Sequence, residues 1–178
     1  MSPRRFAEST DVPVSRTKAE LEELLAQHDA RATAVFNSPD FAAIAFEMEG
    51  RRVMMKLHLP DPRAHEFTHG RINQHAVEIE LAPARAKARH EKACRQKWRA
   101  LLLAVKAKLV SVQEGVETFE DAFMAHVVMP DGQTVADLVR PRIASAYAEN
   151  KMVPLLPYGG KSLVTAARIT RCRRKPPE

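Results

Sequence analysis

The segment from Pro83 to Glu114 restricts the fold of this chain more than any other. On a wheel of about 100° per residue, Cys94, Trp98, Leu101, Leu102, Val105, Leu109 and Val112 share an arc of roughly 100°. A stripe of that kind is a core-facing helix face, so the spacing predicts one long helix from about Pro83 to Glu114. Pro83 suits a helix start, and Gly115 supplies the stop. Whatever else the chain builds has to cover that stripe.

The opposite side of the same helix is basic. Arg85, Arg89, Lys92, Arg95, Arg99 and Lys106 all fall within roughly 80° of Arg85 on the wheel. Charge is concentrated there. Residues 81–114 hold 9 Lys/Arg against 2 Asp/Glu, whereas residues 1–80 hold 10 against 13 and residues 115–178 hold 9 against 7. Between Arg85 and Lys108 only Glu91 is acidic, so the i to i+4 ion pairs that usually neutralise a solvated helix are largely missing. Six cations at helical spacing match a polyanionic backbone, which makes these residues the candidate nucleic-acid-binding face, with single-stranded DNA favoured. An acidic protein surface would satisfy the same charges. Leu103 and Val110 interrupt the basic arc and would meet a second helix, of this chain or of a partner. Trp98 belongs to the apolar stripe and is expected in the core rather than against a base.

Upstream, the period changes from helical to alternating. SRTKAELEELLAQHDA reads as a first helix, with Ser15 as N-cap, Leu21, Leu24 and Leu25 as its apolar stripe, and Glu20, Glu22 and Glu23 near its positive end. ATAVF, FAAIAFEME and RRVMMKLHL then read as three strands. Ile44, Phe46 and Met48 alternate on one face of the second, and Val53, Met55, Leu57 and Leu59 on one face of the third. Met48-Glu49-Gly50-Arg51 is a tight hairpin turn, and Asn37-Ser38-Pro39-Asp40 turns the chain between the first two strands. Residues 60–83 are polar and carry three prolines, which reads as a long connection. Downstream, Thr118 to Asp121 and Thr134 to Asp137 are two helix starts of capping-box type, with Pro130-Asp131-Gly132 as the turn between them. Pro141 is expected to kink or divide the last helix.

A chain of 178 residues is long enough to bury a core without disulfides or metal. The expected fold class is α+β: a small antiparallel three-stranded sheet packed on a long basic helix, with additional C-terminal helices. Residues 1–157 form a single domain in this reading, and 158–178 a basic flexible tail. No secretory or membrane-spanning segment is expected, Cys94 and Cys172 read as reduced thiols, and the cytoplasm is the expected compartment. No cofactor is implied, and the oligomeric state stays open, a homo-oligomer included.

One motif suggests catalysis. His65-Glu66-Phe67-Thr68-His69 matches HExxH, and His75 stands where an extended zinc-protease motif has its third ligand. The position of that motif's glycine is held by Ile72, however, and Gly70 directly follows the second histidine. A polar connection gives such a helix little to anchor it, so no metal site is assigned and the zinc hydrolase ranks third. With no P-loop, GxSxG or GxGxxG, and with His126 read as a core residue, the chain is expected not to be an enzyme.

The stretches VPVSRTKAELEELL, CRQKWRALLLAVKAKL, TFEDAFMAHVVMPDGQTV and MVPLLP resemble an uncharacterised family of bacteriophage and prophage proteins over roughly residues 12 to 157. The order of helix, three strands and long helix is also similar, in topology alone, to the core of phage single-strand annealing recombinases. The tail after Tyr158, with Arg168, Arg171, Arg173, Arg174 and Lys175, departs from the family's pattern. What these resemblances imply is an accessory role in phage replication, recombination or defence evasion.

Overall fold

A computed structural model describes residue 7 and residues 10–38, 41–72, 77–151 and 154; His75, the Pro39-Asp40 half of the first turn and the basic tail lie outside them. The fold is α+β, with a three-stranded antiparallel sheet, the long helix and helices after it. The chain divides into two compact units, Met1–Ala136 and Asp137–Glu178.

In the first unit, β1 (Ala32–Asn37), β2 (Phe41–Met48) and β3 (Arg51–His58) lie in the order β1-β2-β3. Glu49 and Gly50 both take positive φ, 51° and 71°, the combination that a two-residue type I′ hairpin needs. That turn sets the register, pairing Met48 with Arg51, Phe46 with Val53 and Ile44 with Met55. Because side chains alternate across a strand, this register brings Ala42, Ile44, Phe46, Val53 and Met55 to one face, where all are buried.

Two long helices cover that face. α1 (Val14–Gln27) buries Leu21 and Leu25, and α3 (Pro83–Gln113) buries Trp98, Leu101, Val105 and Leu109. Leu102 and Val112 from the same stripe are partly buried against this core. α4 (Phe119–Phe123) closes it at one end. Thr118 caps α4, its hydroxyl oxygen accepting from the Asp121 N–H at 3.1 Å. Phe123 then meets Phe46 edge-on with ring centroids 5.6 Å apart. After a 3-10 turn (Met124–His126), Val127 forms a bridge beside Val53, extending the sheet at its β3 edge. Gly132 at φ 84° completes the turn that returns Gln133 to Met129.

Three local expectations are corrected. α1 starts at Val14 with Pro13 as N-cap, not at Ser15, because the Pro13 carbonyl already accepts from the Thr17 N–H at 3.2 Å. Glu20, Glu22 and Glu23 consequently lie beyond the first turn, out of reach of its unpaired N–H groups. Residues 60–83 are also not a featureless connection. They contain a four-residue helix α2 (His65–Thr68) and an antiparallel hairpin of β4 (His69–Ile72) and β5 (Val77–Glu80). Gly70 has a packing role in that hairpin, since a Cβ there would lie 2.9 Å from Leu81 Cδ2.

α5 (Val135–Glu149), which carries the chain into the second unit, begins directly after Thr134 and holds Pro141 in its interior without being divided. Proline removes one N–H from the helix ladder, and the turns on either side continue. Lys151 N–H donates to the Ala146 carbonyl beyond its end, and Arg142 Nη1 donates to the Pro154 carbonyl at 2.6 Å.

Candidate functional site

The six basic positions of α3 do not form one uniform surface. Arg85, Lys92 and Lys106 are exposed, and none has an ion-pair partner among the described residues. Arg89 is also exposed, but its guanidinium is in use: Nη1 donates to the His69 carbonyl at 2.9 Å and lies 3.5 Å from that of Glu66. It thereby ties the junction of α2 and β4 to α3, across 20 residues of sequence. Arg95 is half-buried, with its Nε shielded from solvent and without a hydrogen-bond partner in the described structure.

Arg99 faces a neighbour that the wheel could not show. Its guanidinium bonds the Glu20 carboxylate of α1, which Arg16 approaches from the other side at 3.3 Å. Glu20 and Glu23 share an open groove between α1 and α3 with Arg99, Leu102, Leu103 and Lys106. Arg99 is therefore answered by an acid from another helix. The bond spans 79 residues, so no local spacing rule could have paired its ends. The visible signal is the excess of acid in ELEELL, which is better explained by this contact than by the helix dipole.

Leu103 and Val110 stay 46% and 43% exposed in the middle of the basic arc. The basic arc of α3 thus mixes three open cations with two apolar side chains, and Lys97 adds an exposed cation on its flank. Trp98 is 2% exposed with Lys18 Nζ 4.8 Å above its ring, a cation–π contact of the core margin rather than an open stacking surface.

The HEFTH segment has a geometry of its own. α2 is only four residues long, and His69 already belongs to β4. The rings of His65 and His69 stack at 4.2 Å between centroids and 12° between planes. A nitrogen lone pair lies in the plane of its ring, so two nearly parallel rings do not aim at one ion about 2.0–2.1 Å from both. His69 Nδ1 is engaged with Thr68 Oγ1 at 2.9 Å. Among the described residues no group of three or more His, Cys, Asp or Glu could hold a metal ion. Phe67 is buried and meets His90 of α3 edge-on at 5.5 Å. His90 Nε2 lies 2.9 Å from the Pro60 carbonyl, which requires a proton on that nitrogen. The segment anchors the connection to the long helix.

Among the described residues, two titratable groups are displaced from their ordinary behaviour. Burial raises the Cys94 thiol, assisted by Glu91 and opposed by Arg95, so the sulfur is held as the less reactive thiol. Burial lowers His126, and the nearby Lys108 ammonium adds to the effect. Lys108 itself bonds the Ala122 carbonyl at the end of α4 and lies 5.6 Å from the centroid of the Phe123 ring. It therefore belongs to the packing of α4 rather than to the basic face.

Among the described residues no helix is long and apolar enough to cross a membrane. Comparison with protein-family models, curated proteins and solved structures finds no match for the chain.

Proposed function

We propose that the chain is a non-enzymatic nucleic-acid-binding protein that uses the open cations of α3, in the service of replication, recombination or defence evasion by a phage or mobile element. The observation that carries this reading is the row of Arg85, Lys92 and Lys106, exposed on one side of a single rigid helix without ion-pair partners among the described residues. Cations fixed at helical spacing neutralise phosphates and release their counterions, which favours binding whatever the base sequence. Arg95 borders this row. Arg89 and Arg99, whose guanidinium groups already serve the fold, contribute to the field but not through free donors.

The direct test is a titration of fluorescein-labelled single-stranded DNA and RNA with the full chain at low salt. Binding that weakens steeply as salt rises supports the reading. No measurable affinity for either polymer at low salt overturns it, and an acidic protein surface becomes the partner to seek.

A further inference from the structure

The sheet has a second face, opposite the one that α1, α3 and α4 cover. Alternation assigns Ala32, Ala34 and Phe36 of β1 to this outward side, since Val35 between them packs on the core. On β2 the outward residues are Phe41, Ala43, Ala45 and Glu47, and on β3 they are Arg52, Met54, Lys56 and His58.

Phe36 and Phe41 are 49% and 41% exposed, an unusual placement for two phenyl rings on one small face. Phe36 stands opposite Ala43 in the register, and Phe41 precedes Ala43 by two residues on the same strand. The two phenylalanines are thus diagonal cross-strand neighbours, roughly 7–8 Å apart. Ala43 lies opposite Lys56 on its other side, and Phe41 lies opposite His58. Arg52 and Lys56 are exposed, while Glu47, opposite Arg52, is half-buried.

These positions form a shallow relief. Ala34 and Ala45 keep the strands low, Ala43 opposite Phe36 is closed off at 1% exposed, the two phenyl rings stand at one end, and the cations stand along β3. Flat, partly exposed apolar rings on the same sheet face as cations suit a ligand that is itself flat and apolar in some parts and anionic in others. An apolar protein segment would make no use of Arg52 and Lys56, and a simple polyanion would make no use of the rings.

We propose that this outward face is a base-stacking platform for single-stranded nucleic acid, with bases resting on Phe36 and Phe41 and the phosphate backbone drawn by the positive charge of Arg52 and Lys56 along β3. The inference deepens the nucleic-acid reading above and rests on it, but it uses different residues, on the opposite side of the sheet from α3. Base–aromatic stacking tolerates any sequence because every base has a π-face. It needs bases that are not already stacked inside a duplex, so the platform selects single strands.

The experiment measures the anisotropy of fluorescein-labelled dT15 and of the matching dA15·dT15 duplex, titrated with full-length wild type, Phe36→Ala, Phe41→Ala and the double variant. Each alanine should weaken dT15 binding about tenfold and the pair about a hundredfold, with duplex affinity unchanged. Phe41→Tyr, which keeps the ring, should bind as wild type. Both phenylalanines point away from the core but are only 49% and 41% exposed, so the melting temperature should drop modestly in the alanine variants while circular dichroism stays the same. Affinities are compared well below that temperature, and unchanged duplex binding shows that the variants are folded. Unchanged dT15 affinity in the double variant overturns the platform and leaves the α3 reading standing. An equal loss for dT15 and duplex overturns it too, because stacking would not discriminate in that way. A wild-type dimer that the double variant disrupts identifies the face as a self-association surface and overturns it. If wild type binds neither oligonucleotide, both this inference and the proposed function fail.

Discussion

The most informative perturbation removes charge from α3 only where the structure leaves it open. Counted on the helical wheel, six cations would give a slope of log affinity against log salt of about −4 on single-stranded DNA, at about −0.7 per phosphate contact. The structure shortens that list. Arg99 is bonded to Glu20, Arg89 donates to the His69 carbonyl and Arg95 is half-buried. The three open residues, Arg85, Lys92 and Lys106, account for a slope of about −2. A fourfold rise in salt should therefore cost about 20-fold in affinity through these contacts.

The variant is Arg85→Gln, Lys92→Gln and Lys106→Gln together, compared with wild type by anisotropy of labelled dT15 at several salt concentrations. Cations beyond residue 158 are present in both proteins, so the difference in slope isolates α3. The slope should fall in magnitude by about 2. Arg99→Gln is the matched control: its charge is already answered, so the slope should hold while the melting temperature drops as α1 loses its tie to α3. Identical slopes for wild type and the triple variant would refute the reasoning and leave the basic face a solvated helix surface. A slope change in Arg99→Gln as large as in the triple variant would show that the Glu20 pair does not hold in solution.

Three further outcomes test the fold beneath the site. Trp98→Ala should lower unfolding free energy by about 3–5 kcal/mol, the usual cost of truncating a buried large aromatic; urea denaturation showing under about 1 kcal/mol would place the α3 face wrongly. Thr118→Ala removes the cap on α4 and should cost about 1 kcal/mol in the same measurement, whereas Thr118→Asp, which keeps an acceptor, should cost much less. Because the His126 pKa is lowered from 6.5, the unfolded chain binds its proton first as pH falls. Stability should decline below pH 6.5 through the window down to the folded value, and His126→Asn should flatten that part of the curve of melting temperature against pH.

Much of the architecture is legible in the sequence because its signals are local and repetitive. Ile44, Phe46 and Met48 state a period of two, Trp98, Leu101, Val105 and Leu109 a period near 3.6, and Glu49-Gly50 fixes the register between two strands. The hairpin of β4 and β5 carries a weaker form of the same signal. Val77 and Ile79 alternate with Glu78 and Glu80 over only four residues, beside a run of polar side chains. Its attachment depends on Arg89, whose carbonyl partners lie 20 and 23 residues away. The pairing of Arg99 with Glu20 is similarly illegible, since a helical wheel records the angle of a side chain about its own axis and nothing of the element packed beside it. For the HEFTH motif the spacing is visible but the geometry is not: stacking of His65 on His69 follows from a helix that ends after four residues.

The same distinction separates the two surfaces on which function is proposed. Six cations on one face of α3 are conspicuous in sequence, yet three of them do structural or partly buried work, because a guanidinium near a neighbouring helix or carbonyl is drawn into the fold. The outward face of the sheet gives no such signal. Phe36 and Phe41 read as ordinary strand residues, and only the register places them together, on the side opposite Ile44 and Val53. Left 49% and 41% exposed, the two phenyl rings each forgo roughly half of the 1.5–3 kcal/mol that full burial would contribute. Polar residues at both positions would keep the strands without that cost, so a stacking partner gives the exposed rings a physical purpose. If dT15 reaches only α3, the single-strand preference must come from phosphate spacing alone. If it reaches the sheet, the preference follows from the phenyl rings, and the cations on β3 and α3 hold the backbone on either side of the same two-layer domain.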